Sequence, residues 1–400
     1  MTESEVDTQI IKYRALVERT FGGPPDSVLR LHPDFRDAVA GGPVPAAEFL
    51  HSLKLGRVEE LLSSLYHRQP KYPAAAMLKS LMLMDLKRMM HYTELADYLK
   101  SNPLEAALQG FNSNGGTVEV PSVKTFWHFH RLRIGKQWDS LFEMLRDEVI
   151  AQGRVLGLGI GERCAEDSMP VAAMDGDGDA AYNDHYEITG YKLDTIDDID
   201  HGLPVALKTV PANVGDATLL QEQVRSCMKQ TGMRGLWIDG GYDSYENIGW
   251  LNINGIKPHF HIHGNWVPNP AGSVEHLKAL YGRHWKDEGY RSRAPIEFIL
   301  TFLFSHGHHG DVGAYFRNIE MLRYESDPVT YLKDYHLRSR KEGHHGYWKE
   351  HLSLQRRLRV RGLRNVDIFL TRNLCTILAV ALNRLQHGVR EHLSSVAYLK

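Results

Sequence analysis

Cysteine is scarce in this chain: Cys164, Cys227 and Cys375 are spread over 400 residues with no CxxC spacing. That argues against a disulfide framework and against a thiolate zinc site, and it suits a reducing cytoplasm. Long apolar runs are lacking as well; none approaches the roughly 18 to 20 residues that span a bilayer. The opening MTESEVDTQIIKYR is acidic and lacks the basic-then-apolar layout of a secretion signal. A glycine-rich phosphate loop is absent: GLGIG at 157–161 does not fit GxGxxG, and no Walker-type lysine follows, so nothing points to a nucleotide cofactor. Finally, a strong net charge is missing, the balance being −2.

Charge is present, but placed unevenly. Residues 162–200 hold twelve Asp/Glu against Arg163 and Lys192, 2 − 12 = −10; residues 331–400 hold fourteen Lys/Arg against five Asp/Glu, 14 − 5 = +9. Such asymmetry fits an acidic metal pocket beside a polyanion-binding face, or two halves of one fold that neutralise each other.

Up to about residue 150 the chain reads as all helix. Apolar residues of AAEFLHSLKLGRVEELLSSLYH and AAAMLKSLMLMDLKRMM recur at three- and four-residue steps. Thr93 carries an N-cap signal, SNP at 101–103 is a break, and Ser122 is placed to cap a helix bearing His128, His130, Arg131 and Arg133. Short helices with a basic last member suit a DNA-binding bundle; a helical cap or dimerisation region fits the pattern equally.

Beyond 150 the period changes. RCAEDSMPVAAM, YEITGYKLDTIDD, PVALKTVPAN and RGLWIDGG are short β-rich segments; helical stretches follow the third and fourth, and then the strand KPHFHIH. Three strands, helix, strand, helix, strand is the order of a ribonuclease H-like mixed sheet with flanking helices, an α/β fold. Residues 264–327 read as an insertion of helices and loops, and the last apolar helix, VDIFLTRNLCTILAVALNRL, is expected against the sheet. The expected division is 1–150, a helical DNA-binding or dimerisation region, and 151–400, the catalytic domain.

Two carboxylates stand where strand chemistry would put them: Asp167 on the first strand and Asp239 at the end of the fourth, before Gly-Gly. Open α/β sheets bind ligands at such edges, although capping a turn is an ordinary use of Asp. Downstream lies YHLRSRKEGHHGYWK, 335–349. At about 100° per residue Tyr335, Arg338, Glu342 and Lys349 share an arc of about 60°. One stripe then offers a carboxylate for a hard cation and two cations for phosphate oxygens. Glu320, three residues after Arg317 on another likely helix, competes with Glu342 as third carboxylate.

Tyr335-x2-Arg338-x3-Glu342-x6-Lys349 resembles the Y-(2)-R-(3)-E-(6)-K signature of the DDE transposases of prokaryotic insertion sequences. The stretches DSMPVAA with HYEITGYKLDTIDDIDHGLPVALKTVPANVGDATLL, and IDGGYDSYENI, are similar to the family's first two catalytic blocks. YPAAAMLKSLMLMDLKRMMHYTELADYLKSNP and VPSVKTFWHFHRLR resemble its N-terminal helical region, so the likeness covers about residues 70 to 390. DSMP and GGYDS depart mildly from the usual blocks, without loss of a carboxylate. The resemblance implies a catalytic triad of Asp167, Asp239 and Glu342 holding two Mg2+ ions, with Mn2+ as substitute. It implies that Tyr335, Arg338 and Lys349 position the element end, and that the enzyme works as a homodimer on double-stranded DNA near the nucleoid. The basic run with Arg356, Arg357, Arg359 and Arg361 adds sequence-independent phosphate affinity. A metal-dependent nuclease of the same fold and a transposase-derived DNA-binding protein are the alternatives.

MDGDGDAAYND resembles a calcium loop, but Ala180 and Tyr186 stand where Gly and Glu are required, so an acidic turn is expected. His259, His261 and His263 alternate along one strand face without an evident fourth zinc ligand, and EGHHG, with His344 and His345, reads as an exposed turn or a phosphate contact.

Overall fold

Apolar clusters cut by glycine, proline and asparagine become helices in the computed structural model: α1 Ala46–Ser52, α2 Arg57–Ser64, α3 Ala74–Leu86, α4 Tyr92–Ser101, α5 Pro103–Gln109, α6 Val123–His128 and α7 Trp138–Val155. The structure describes residues 46–399 except 112, 115–116, 263–265, 285–293, 353, 355–357, 359 and 398. The run from Ala46 to Ser64 is two helices: α1 stops at Ser52, and Gly56, at φ 55°, stands as the N-cap of α2. Thr93 is not the cap of α4; the N-cap is His91, and the freed Met90 amide is taken by Glu94 Oε2 at 2.8 Å. Ser122 does cap α6, its hydroxyl accepting from the Thr125 amide at 3.3 Å. After α6 the backbone continues as a wider π-turn, Phe129–Ile134. It turns His130 inward to hydrogen-bond the Tyr92 hydroxyl, and burial first, then the charges of Arg372 and Arg131, hold that imidazole well below its usual pKa.

The β-rich segments form a six-stranded sheet: β1 Arg163–Ala172, β2 Ala181–Asn183, β3 Ile188–Asp198, β4 Leu203–Pro211, β5 Gly235–Ile238 and β6 Lys257–His259. β1 pairs antiparallel with β3, whose other edge carries β2 and then β4, while β5 and β6 add in parallel on the far side of β1. The short β2 occupies part of what reads in sequence as a bare acidic turn. α8 Leu220–Thr231 and α9 Tyr245–Ile253 make the two crossovers. Their apolar faces cover a core of Val205, Val224, Leu236, Ile238, Ile248 and Leu251.

Between β6 and the last helices lie α10 Val274–Arg283, α11 Ile296–Ser305 and α12 His309–Ser326, with a small core of Leu277, Tyr281, Ile299 and Val312. α12 lies tight against α9 because it passes it at Gly313, where a Cβ would sit 1.7 Å from the Tyr245 carbonyl oxygen. α13 Pro328–Tyr335 leads through a 3-10 turn, His336–Arg338, into α14 Ser339–His351, and α15 Leu363–Gln386 follows.

The chain divides into two compact units: the described part of Met1–Leu158 with Tyr347–Val360 and Arg364–Lys400, and Gly159–Gly346 with Arg361–Leu363. The expected cut near 150, with everything later in one catalytic domain, therefore differs from the packing. The expectation that the last apolar helix covers the sheet is also corrected. On α15, Arg372 Nε donates to Asp85 Oδ2 of α3 at 3.0 Å, and Asn383 Nδ2 donates to the Phe49 carbonyl of α1 at 2.5 Å. These buried polar groups find their partners among the N-terminal helices. By length and composition α15 alone among the described helices could cross a membrane, but 83% of its most apolar window is buried within the protein.

Candidate functional site

The last parallel pair of β1 and β5 is Glu166 with Ile238. One step further stand Asp167, midway along β1, and Asp239, just past the carboxyl end of β5, on one side of the sheet. Asp167 is mostly buried, and Asp239, at the head of a 3-10 turn over Gly240–Tyr242, is half exposed. The third acid arrives on α14, where Glu342 lies one turn after Arg338.

Arg338 joins the three. Its Nη1 lies 3.9 Å from Asp167 Oδ2 and 3.8 Å from Asp239 Oδ2, and its Nη2 donates to Glu342 Oε1 at 3.0 Å. Burial disfavours the guanidinium charge, but Asp239, Tyr335, Asp167 and Glu342 outweigh it and hold Arg338 above its ordinary pKa. Asp167 is pushed the other way: burial, aided by Asp239, raises its carboxyl to about 6, against the pull of Lys341, Arg338 and the Ser168 amide. One cation thus serves three carboxylates, two of them at distances too long for direct hydrogen bonds.

Beneath this cluster lies a buried polar layer. The Lys341 ammonium, fully enclosed, donates to the Thr195 carbonyl and hydroxyl at 2.6 Å each and pairs with Asp197 at 2.9 Å. His345 is buried on the next turn, with Nε2 3.2 Å from Thr195 Oγ1 and Nδ1 4.0 Å from Asp167 Oδ2. α14 is therefore anchored to β3 on both sides of Glu342. The exposed-turn reading of EGHHG is corrected for His345, because the helix runs through both glycines and turns that imidazole inward. A signal for it was available: Arg338, Glu342 and His345 recur at i, i+4 and i+7. Lys341 carried none, since a lysine in a basic stretch reads as solvated until its strand partner is known.

The remaining candidates separate. Tyr335 ends α13, buried, with its ring 5.5 Å from that of His261; burial first raises its hydroxyl pKa and Arg338 opposes this. The stripe from Tyr335 to Lys349 is not one continuous α-helix, because the 3-10 turn intervenes. Lys349 sits on the part of α14 that packs in the helical unit. Arg361 donates from Nη2 to the Asp175 carbonyl at 2.9 Å, and Arg356, Arg357 and Arg359 lie outside the described residues. Glu320, on α12, is ion-paired with Arg323 and is not gathered with Asp167 and Asp239. His259 stacks on Trp237 with centroids 3.8 Å apart and pairs with Asp334 at 2.7 Å; burial lowers its pKa to about 4. His263 lies outside the described residues. In the acidic turn, Asp177 accepts from the Gly362 amide and from the Tyr191 hydroxyl at 2.8 Å, a structural use of the carboxylate.

A family model described as the transposase DDE domain matches residues 162–379, more than half of the chain. The chain belongs to this family. No curated protein and no solved structure matches it. Membership in the DDE family makes DNA the substrate class and divalent metal the general cofactor class. Among the described residues no group of three or more His, Cys, Asp or Glu is close enough together to hold a metal ion. The donor chemistry of the Arg338 cluster nevertheless fits one. All its anionic donors are carboxylate oxygens, as hard divalent cations require, and they already surround a positive charge.

Proposed function

We propose that this protein is a transposase of the insertion-sequence type that cuts DNA at the ends of a mobile element and joins those ends to target DNA. One observation carries the reading: Asp167, Asp239 and Glu342, 175 residues apart from first to last in the chain, converge on the single guanidinium of Arg338. Antiparallel opening strands and parallel later ones support a ribonuclease H-like sheet. The spacing Tyr335, Arg338, Glu342, Lys349 supports the insertion-sequence signature.

In this reading the three carboxylates hold two Mg2+ ions, which when bound supply Lewis acidity for in-line phosphoryl transfer and need no covalent enzyme intermediate. Asp167 serves as the carboxylate, the form that its burial disfavours until a cation binds. Arg338 moves from neutralising carboxylates to neutralising charge on the phosphoryl group, where its fork suits two oxygens. Lys341 and His345 keep Glu342 in register with Asp167 by tying α14 to β3. Tyr335 orients the strand beside Arg338, Lys349 meets the backbone, and the Arg356–Arg361 run supplies salt-dependent affinity. Two ends are joined in one event, so the working form is a homodimer on DNA.

Cleavage and strand-transfer assays on DNA carrying the element ends test the reading. Asp239→Asn should abolish both while leaving end binding intact. Magnesium-dependent cutting without joined product would instead mark a nuclease of the same fold. End binding by the unmodified protein without any cutting would mark a DNA-binding protein that has lost catalysis.

A further inference from the structure

Two segments of the helical unit contain no acidic residue. Residues 65–72, LYHRQPKY, carry Arg68 and Lys71; residues 121–138, PSVKTFWHFHRLRIGKQW, carry Lys124, Arg131, Arg133 and Lys136. The fold brings these two stretches together. They line a cleft of about 610 Å³, with Tyr66, Arg68 and Lys71 from the first segment and His128 and Arg133 from the second. Not one Asp or Glu lines it. The Arg133 guanidinium lies 5.1 Å from the Tyr66 ring centroid and donates from Nη1 to the Leu65 carbonyl at 3.5 Å, which fixes its direction. Lys71 is partly neutralised from outside the cleft by Glu119 at 2.9 Å. Arg68 and His128 are exposed, and so, beside His128 on α6, is Trp127, 42% accessible where indoles are normally covered.

Resting on the transposase reading, we propose that this cleft is a DNA backbone site, in which Arg68 and Arg133 grip phosphates of the element end. A wide, acid-free, aromatic-walled groove with forked cations matches a phosphodiester backbone better than a small apolar ligand. The contacts are to phosphate, so they add affinity and register without reading sequence. His130 and Arg131 take no part: the first is buried against Tyr92 and Trp138, and the second is half-buried with Nη1 donating to the Asn365 carbonyl at 3.5 Å.

The test is DNA binding by fluorescence anisotropy across a salt series, on the full chain carrying Asp239→Asn so that no cutting intervenes. Duplexes with and without the element ends are compared. Adding Arg68→Ala with Arg133→Ala should weaken binding to both duplexes on the order of tenfold and lower the salt slope by roughly 1 per arginine removed. The double replacement Arg68→Lys with Arg133→Lys should restore the slope, which also guards against loss through misfolding. Unchanged affinity and slope in the alanine variant overturn the site. So does a loss confined to end-containing DNA, or one that lysine does not restore. Failure of the parent protein to bind either duplex would sink the transposase reading itself, a separate outcome.

Discussion

Two arginines in this protein face carboxylates in opposite ways. Arg372, on α15, is enclosed with Asp85: Nε and Nη2 each reach one carboxylate oxygen, and the Thr376 hydroxyl donates to the same group at 3.0 Å. Burial works against the Arg372 charge, but Asp85 outweighs it and holds the guanidinium above its ordinary pKa. Arg338 instead divides itself among three carboxylates, with only Glu342 within hydrogen-bond distance and Asp239 and Glu342 largely open to solvent. A complete bidentate pair has no reason to exchange partners. A shared, incompletely bonded one can release its carboxylates to another cation, which is what the proposed function asks of Arg338, whereas the Arg372 pair holds the fold.

The comparison can be broken at either end. The largest effect is expected from Arg372→Ala, which leaves Asp85 buried without its partner and should cost about 3–5 kcal/mol in denaturant unfolding; a loss under about 1 kcal/mol would remove the contrast. Asp167→Asn should act in the opposite direction on stability. Its folded pKa, about 6, lies above the 3.8 of an unstructured chain. Stability is therefore fully present below pH 4 and declines as pH rises through 6, where the buried group must ionise. The variant escapes that decline and should gain up to about 3 kcal/mol at pH 7.5 and nothing at pH 3.5, as followed by thermal unfolding at both values. Arg338→Ala removes a charge that lowers the Asp167 pKa, so in the metal-free protein the Asp167 carboxyl, followed by NMR, should titrate about 1 pH unit higher. A shift downward would contradict the geometry. Smallest is Thr376→Val, which deletes one of three hydrogen bonds to Asp85 and should cost about 1 kcal/mol without changing cleavage at saturating DNA.

Much of the site was legible because its members obey short-range rules. Asp239 ends an apolar run before Gly-Gly, Asp167 lies within a β-rich segment, and Arg338 and Glu342 are one helical turn apart. Each follows from local backbone period. Local spacing alone does not separate Glu342 from Glu320, since each follows an arginine on a helix, Arg338 and Arg317; in the fold Glu320 pairs with Arg323, whereas Glu342 shares Arg338 with Asp167 and Asp239. Thr93 is not the cap because a cap signal is only a local preference: the helix begins before it, with His91 as N-cap, and Thr93 lies within the first turn. The destination of α15 was not legible, because its apolar pattern is nearly continuous and matches a helical bundle as well as a sheet.

By itself the sequence determined the order of helices and strands, the strand that carries Asp167, the strand end that presents Asp239, and the turn that unites Arg338 with Glu342. All of these depend on residues within a few positions of one another. Only the tertiary structure decided that Lys341 and His345 are buried against Thr195, that Arg372 belongs to Asp85, and that residues 66–72 and 123–133 share one cleft. Those pairings join residues about 60 to 290 positions apart, and only the packed core determines which distant strand or helix becomes a neighbour.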